Sequence, residues 1–205
     1  MSSEIYIELF GFISNLYESQ PEKERVEKLD VLVKYIQEQK DGGETIKLNF
    51  ICTHNSRRSH LCQVWAKTMA SFYAIDDVRC YSGGTEATAA YPVIIRTLKN
   101  TGFDVTSLGE DQNPTYKLRF DKEMCPMTLF SKTYDNEHNP NSDFAAVMTC
   151  NDADQNCPII PNSTRISLPY VDPKVSDGTD KQKEVYAERS KQIATEMKYV
   201  FSKIK

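Results

Sequence analysis

The sequence predicts an α/β fold: a four-stranded parallel sheet flanked by helices, with an N-terminal helical extension and an inserted hairpin. Three observations carry this. Short β-rich runs alternate with longer runs of helical spacing, as in a parallel sheet with right-handed crossovers. The run Phe144-Ala-Ala-Val-Met-Thr149 is largely apolar, as expected of a strand covered on both faces. Cys52, Cys150 and Asp172 each fall just past a predicted strand end, and ligands of such sheets bind beyond the carboxyl ends of the strands.

Residues 1–45 precede the first core strand. Residues 5–17 are apolar with scattered polar positions and predict a helix. Pro21 suits the first turn of a second helix, in which Val26, Leu29, Leu32, Val33 and Ile36 recur at helical spacing. Asp41-Gly-Gly43 ends it. These helices read as a hairpin packed on the main domain, residues 46–205. They supply packing surface, with a dimer contact as the functional alternative.

The first core strand is 46–51, and 61–73 reads as the helix after it. Residues 78–82 form the second strand, closed by Gly83-Gly84. A helix over 91–100 opens near Pro92 and stops at Gly102. Residues 110–143 are an insertion, in which 115–120 alternates like a strand and 127–132 is its partner. Residues 135–141 have loop composition. Strand 144–149 leads into a polar loop, 151–156. Residues 165–168 are the fourth strand. The last helix runs from about 180 to the end, with Val185, Ile193, Met197, Val200 and Ile204 as its stripe.

The 205 residues suit one domain with length to spare. A net charge of −4 argues against a general nucleic-acid binder. No apolar run approaches membrane-spanning length, and the acidic N-terminus does not read as a signal peptide. The chain is expected in the cytoplasm. There the 6 cysteines point to catalysis, redox work or metal rather than a disulfide framework. No Cys-x2-Cys pair exists and the 3 histidines lack zinc spacing, so no metal and no cofactor are expected. Cys62 and Cys80 read as small buried residues.

The chemistry concentrates in Cys52-Thr-His-Asn-Ser-Arg-Arg-Ser59, a strand-to-helix turn. Successive backbone N–H groups in such a turn form an anion nest, and the helix adds its positive N-terminal end. Arg58 offers a planar fork for two oxygens. The same field favours a thiolate at Cys52, which the Ser59 hydroxyl can hold. Asn55 tolerates the left-handed backbone such a loop often needs.

Cys52-Thr-x-Asn-Ser-x-Arg-Ser59 resembles the signature loop of the low-molecular-weight protein tyrosine phosphatases, whose fold and loop the thioredoxin-coupled arsenate reductases share. Cys150-Asn-Asp-Ala-Asp-Gln-Asn-Cys157-Pro158 resembles the redox pair of those reductases. A phosphatase has no need of two further cysteines there. Asp172-Pro173 matches the general-acid pair of both branches. The resemblance spans about residues 46–109 and 144–205. It implies that Thr53, His54, Asn55, Ser56 and Arg57 bind the oxyanion beside Arg58, that Cys52 is the nucleophile and that Asp172 is the acid. It also implies a Cys52/Cys150/Cys157 thiol–disulfide relay that reduces arsenate to arsenite and is reset by thioredoxin or a similar dithiol, with residual phosphatase activity. His54 replaces a frequent glycine, Arg57 adds a second cation, and Gln63 replaces a glutamate that helps bind potassium in many reductases. A phosphatase acting through a Cys52 phosphocysteine and a non-catalytic oxyanion or redox sensor remain the alternatives.

Overall fold

The structure is a computed structural model that describes residues 5–16 and 21–205; the end of the first expected helix, at Tyr17, lies outside them. Its centre is a sheet in the order β2-β1-β6-β7, built from β1 (Ile46–Cys52), β2 (Val78–Gly84), β6 (Phe144–Met148) and β7 (Ser163–Ser167). All its pairings are parallel. Helices α3 (Arg58–Phe72), α4 (Pro92–Asn100) and α6 (Gln182–Ser202) flank it. Along β1, side chains alternate between two apolar clusters. Leu48 and Phe50 join the larger one under α3 and α6, and Ile51 joins the smaller one on the opposite face.

Trp65 of α3 is completely buried in the larger cluster. Its indole N–H donates to Ser190 Oγ of α6 at 2.9 Å, and its ring lies 5.1 Å from Phe103 and 5.5 Å from Phe12. The buried nitrogen thus has a partner, so the large ring can sit in the core without an orphan donor.

The N-terminal helices are α1 (Ile7–Asn15) and α2 (Lys23–Asp41). Both pack on the main body, and the turn of the expected hairpin, residues 17–20, lies outside the described residues. On α1, Phe12 stacks on Trp65, and the Ile13 carbonyl accepts from Lys198 Nζ at 2.8 Å. Helix α2 lies along α6 and the sheet, burying Leu29, Leu32 and Ile36 completely. Each of those side chains contributes on the order of 1.5–3 kcal/mol of burial.

The insertion joins the segment just before it in an antiparallel sheet of order β3-β4-β5: β3 (Asp104–Ser107), β4 (Tyr116–Arg119) and β5 (Met127–Leu129). The expected hairpin is β4–β5. Strand β3 was not expected, since Val105 is its one buried residue and its identity comes from pairing Val105 with Leu118. The segment after β6 expected as a polar loop, residues 151–156, is instead a short helix, α5 (Asn151–Asn156). Among the described residues no helix is long and apolar enough to cross a membrane.

Candidate active site

β1 ends at Cys52, and the chain turns through residues 53–57 before α3 begins at Arg58. The loop's carbonyls are tied outward. Cys52 O accepts from Thr85 N at 3.1 Å, Thr53 O from Glu86 N at 2.8 Å, Ser56 O from Tyr91 N at 3.0 Å and His54 O from Ser131 Oγ at 2.9 Å. Among the described residues the amides of 54–57 donate to no protein acceptor. These donors and the start of α3 are the elements of an anion nest. Gly84 permits the arrangement, because a Cβ there would lie 2.3 Å from Glu86 O and 2.6 Å from Thr53 O.

Asn55 takes the left-handed conformation, with φ of 44°. It is completely buried, receives Lys132 N–H on Oδ1 at 2.9 Å and donates from Nδ2 to Ser59 Oγ at 2.9 Å. Ser59 Oγ lies 3.1 Å from Cys52 Sγ. Because the serine oxygen accepts from Asn55, its own proton is free to point at the sulfur. A hydrogen bond of that sense stabilises the thiolate.

Arg58 donates from Nη1 to the Tyr170 carbonyl at 3.1 Å and from Nη2 to Asp172 Oδ2 at 2.5 Å, leaving Nε buried and unpaired. Asp172 also caps a 3-10 turn, Pro173–Ser176, accepting from Lys174 N at 3.0 Å. Cys52, His54, Ser56, Arg57, Arg58 and Asp172 line one narrow pocket.

Arg57 lines this pocket, while its guanidinium is held by groups outside the loop. It donates to Tyr186 Oη at 2.6 Å and to Asp177 Oδ2 at 2.7 Å, and it lies 4.0 Å over the Tyr91 ring. Burial by itself would raise the Asp177 pKa, but hydrogen bonds from Tyr186 and Gln182 and the charge of Arg57 outweigh it and hold the carboxyl below its ordinary value. Thr53 also faces away, donating to Asp152 Oδ2 at 2.8 Å. His54 Nδ1 lies 3.3 Å from Glu86 Oε2. Gln63, neutral where the resemblance has a glutamate, donates from Nε2 to the Cys80 carbonyl at 3.2 Å and leaves its Oε1 buried with no partner among the described residues.

Cys150 lies 3.6 Å from Thr53 Oγ1 and caps α5, its sulfur accepting from Ala153 N at 3.3 Å. Cys157 follows the last turn of α5. Cys52, Cys150 and Cys157 are all buried free thiols in the smaller apolar cluster. Burial raises the Cys157 pKa, with Arg165 opposing it. Arg165 donates to the carbonyls of Cys157 at 3.1 Å and Ala153 at 3.0 Å. It satisfies the C-terminal end of α5, which the sequence reading missed.

Two further groups beside the loop were not singled out from the sequence. Lys132 is buried and its pKa is lowered to about 8 by that burial. His60, completely buried, sits 3.1 Å from Ser82 Oγ; burial first and Lys132 second lower its pKa to about 3. The unfolded imidazole takes a proton near pH 6.5, while the folded one stays neutral down to about pH 3. Stability therefore falls as pH drops through that window, with a limiting slope of about 1.4 kcal/mol per pH unit. His60→Gln is expected to flatten this slope in urea unfolding between pH 6 and 4, roughly the window between the two pKa values. An unchanged slope would remove His60 as its source.

No family model matches the chain. It is 33% identical over 116 residues to arsenate reductase 2 of Staphylococcus haemolyticus, covering 57% of this chain and 69% of that protein. A Staphylococcus epidermidis protein, also named arsenate reductase 2, is 33% identical over 119 residues with the same coverage. A solved structure described as an arsenate reductase in the phosphate binding state aligns with a TM-score of 0.50 and 18% identity, over 78% of this chain and 99% of that one. That last likeness concerns the fold, whereas the sequence likeness to the staphylococcal proteins goes further. The chain belongs to the arsenate reductase family, on the fold of the low-molecular-weight protein tyrosine phosphatases.

Proposed function

We propose that this chain reduces arsenate to arsenite through a relay of Cys52, Cys150 and Cys157. The observation that carries the proposal is the packing of these thiols into one buried cluster beside an anion-binding turn. The loop amides and Arg58 hold the oxyanion. The Cys52 thiolate attacks arsenic, and Asp172 gives its proton to the departing oxygen, which leaves as water. Cys150 then attacks Cys52 Sγ. The sulfur–arsenic bond breaks with its electron pair on arsenic, arsenite departs, and a Cys52–Cys150 disulfide remains. Cys157 attacks Cys150 Sγ, which frees Cys52 and leaves Cys150–Cys157 oxidised. A dithiol protein of thioredoxin type takes up that disulfide by exchange.

Formation of the Cys150–Cys157 disulfide requires α5 to open. Across a helix rising 1.5 Å per residue, residues seven apart have Cα atoms about 10 Å apart, whereas a disulfide needs less than about 7 Å. Six residues of polar helix form a small enough unit to unfold locally.

The test is steady-state arsenate reduction, followed as NADPH oxidation with thioredoxin and thioredoxin reductase. Wild type is expected to turn over, and Cys157→Ser to stop after about one turnover. Sustained turnover by the variant would refute the relay. Wild type that fails to reduce arsenate but hydrolyses an aryl phosphate, unaffected by Cys157→Ser, would establish the phosphatase alternative.

A further inference from the structure

We propose that α2 belongs to the working site as well as to the core. Arg25 is a positioning residue that fixes residues 168–172 and, through them, the guanidinium of Arg58. The proposal rests on reading Cys52–Ser59 as an oxyanion loop.

Three groups hold Arg25. Its Nη1 donates to the Pro169 carbonyl at 3.0 Å. Nε and Nη2 each reach Glu196 Oε2 at 2.9 Å. Its Cζ lies 4.4 Å over the Tyr170 ring. Glu196, nearly fully buried on α6, also accepts from Gln192 Nε2 at 2.9 Å. One side chain from α2 therefore binds backbone, ring and carboxylate of the segment that follows β7 and of α6.

The next carbonyl along that segment belongs to Tyr170, and it accepts Arg58 Nη1 at 3.1 Å. Asp172, two residues further, accepts Arg58 Nη2. A single peptide unit thus separates the carbonyl that Arg25 holds from the one that orients Arg58. The amides of Leu168 and Tyr170 are fixed to β6 through Met148 O at 2.9 Å and Thr149 O at 3.0 Å. With Arg25 the segment is held on both sides. The rest of α2 is kept in register on α6 and the C-terminus, by Tyr199 Oη donating to Asp30 Oδ1 at 2.9 Å and by Lys205 N donating to Gln37 Oε1 at 2.9 Å.

A helix serving only as cover would do so with apolar contacts. A buried ion pair carries a desolvation cost that packing alone avoids. Here the pair sits beneath the residues that aim Arg58 and Asp172, and in that place orientation is what it supplies.

Inorganic phosphate, which shares the shape and charge of arsenate, is the probe, titrated calorimetrically into the full chain. The main variant is Arg25→Met combined with Glu196→Gln, which removes both charges together and so avoids an unpaired buried ion. Its phosphate Kd is expected to weaken by about tenfold or more, the scale of a lost charge-assisted hydrogen bond. The control is Leu32→Ala, a cavity on the same helix away from residues 168–172, which should lower Tm and leave Kd within about twofold of wild type. A double variant with wild-type Kd, or equal losses in both variants, would overturn the proposal. Should the double variant not fold, Arg25→Lys keeps the charge beside Glu196 but loses the planar fork. Its Kd is expected to weaken severalfold, and an unchanged Kd again overturns the proposal. Wild type that binds no phosphate would instead refute the oxyanion reading on which this rests.

Discussion

Cys52→Ser is expected to lower arsenate reduction by at least about 10⁴-fold, the scale of losing a nucleophile on which every later step depends. A serine hydroxyl does not ionise near neutral pH, and among the described residues the loop has no base to deprotonate it. The hydrogen bond from Ser59, which suits a sulfur anion at 3.1 Å, would meet a neutral oxygen. Phosphate affinity should survive or improve, because a negative sulfur no longer faces a negative ligand. Calorimetry and turnover on the same sample separate the two effects. Loss of both together would indicate a collapsed loop, and retained turnover would place the nucleophile elsewhere.

Asp172→Asn is expected to cost about 10²–10⁴-fold in the first chemical step, the usual worth of a positioned acid. Asparagine keeps its one oxygen for Lys174 N, so the cap of the turn should hold, but it turns an NH2 toward Arg58 Nη2 and gives up the ion pair there. What also disappears is the proton for the leaving oxygen. Aryl phosphates offer a sharp readout, provided that the chain retains phosphatase activity. A poor phenol leaving group should suffer far more than a nitrophenol, which departs without protonation. An equal loss for both would make Asp172 an orienting partner of Arg58 and not an acid.

Much of this site was legible because its signals are local. The β-rich run before Cys52, the apolar helix after it and the spacing to Arg58 lie within one short stretch. Asn55 was marked for a left-handed backbone on residue type alone, and its φ is 44°. The long-range partners were not legible. Arg57 and Arg58 are neighbours of one residue type, and Tyr186 and Asp177, more than a hundred residues on, decide that the first turns away. Arg25 carries no local signal, because Glu196 and Pro169 meet it only after folding. Helix α5 was hidden in another way. Its cap is a cysteine sulfur, outside the usual serine, threonine, asparagine and aspartate signals. Its C-terminal carbonyls are satisfied from β7 by Arg165.

That bracketing of α5 bears on the energetics of electron flow. In the proposed relay, the helix exists while Cys150 and Cys157 are thiols and is lost when they are joined. Whatever free energy holds α5 together therefore counts against the disulfide and raises its reduction potential. The conversion for a two-electron couple is about 30 mV for each 1.4 kcal/mol. A better-capped α5 makes the oxidised enzyme a stronger oxidant, one that an external dithiol resets more completely. The same stability makes closure of the disulfide harder after each turnover. Arg165 and the Cys150 cap thus set the balance between discharging the enzyme and recharging it.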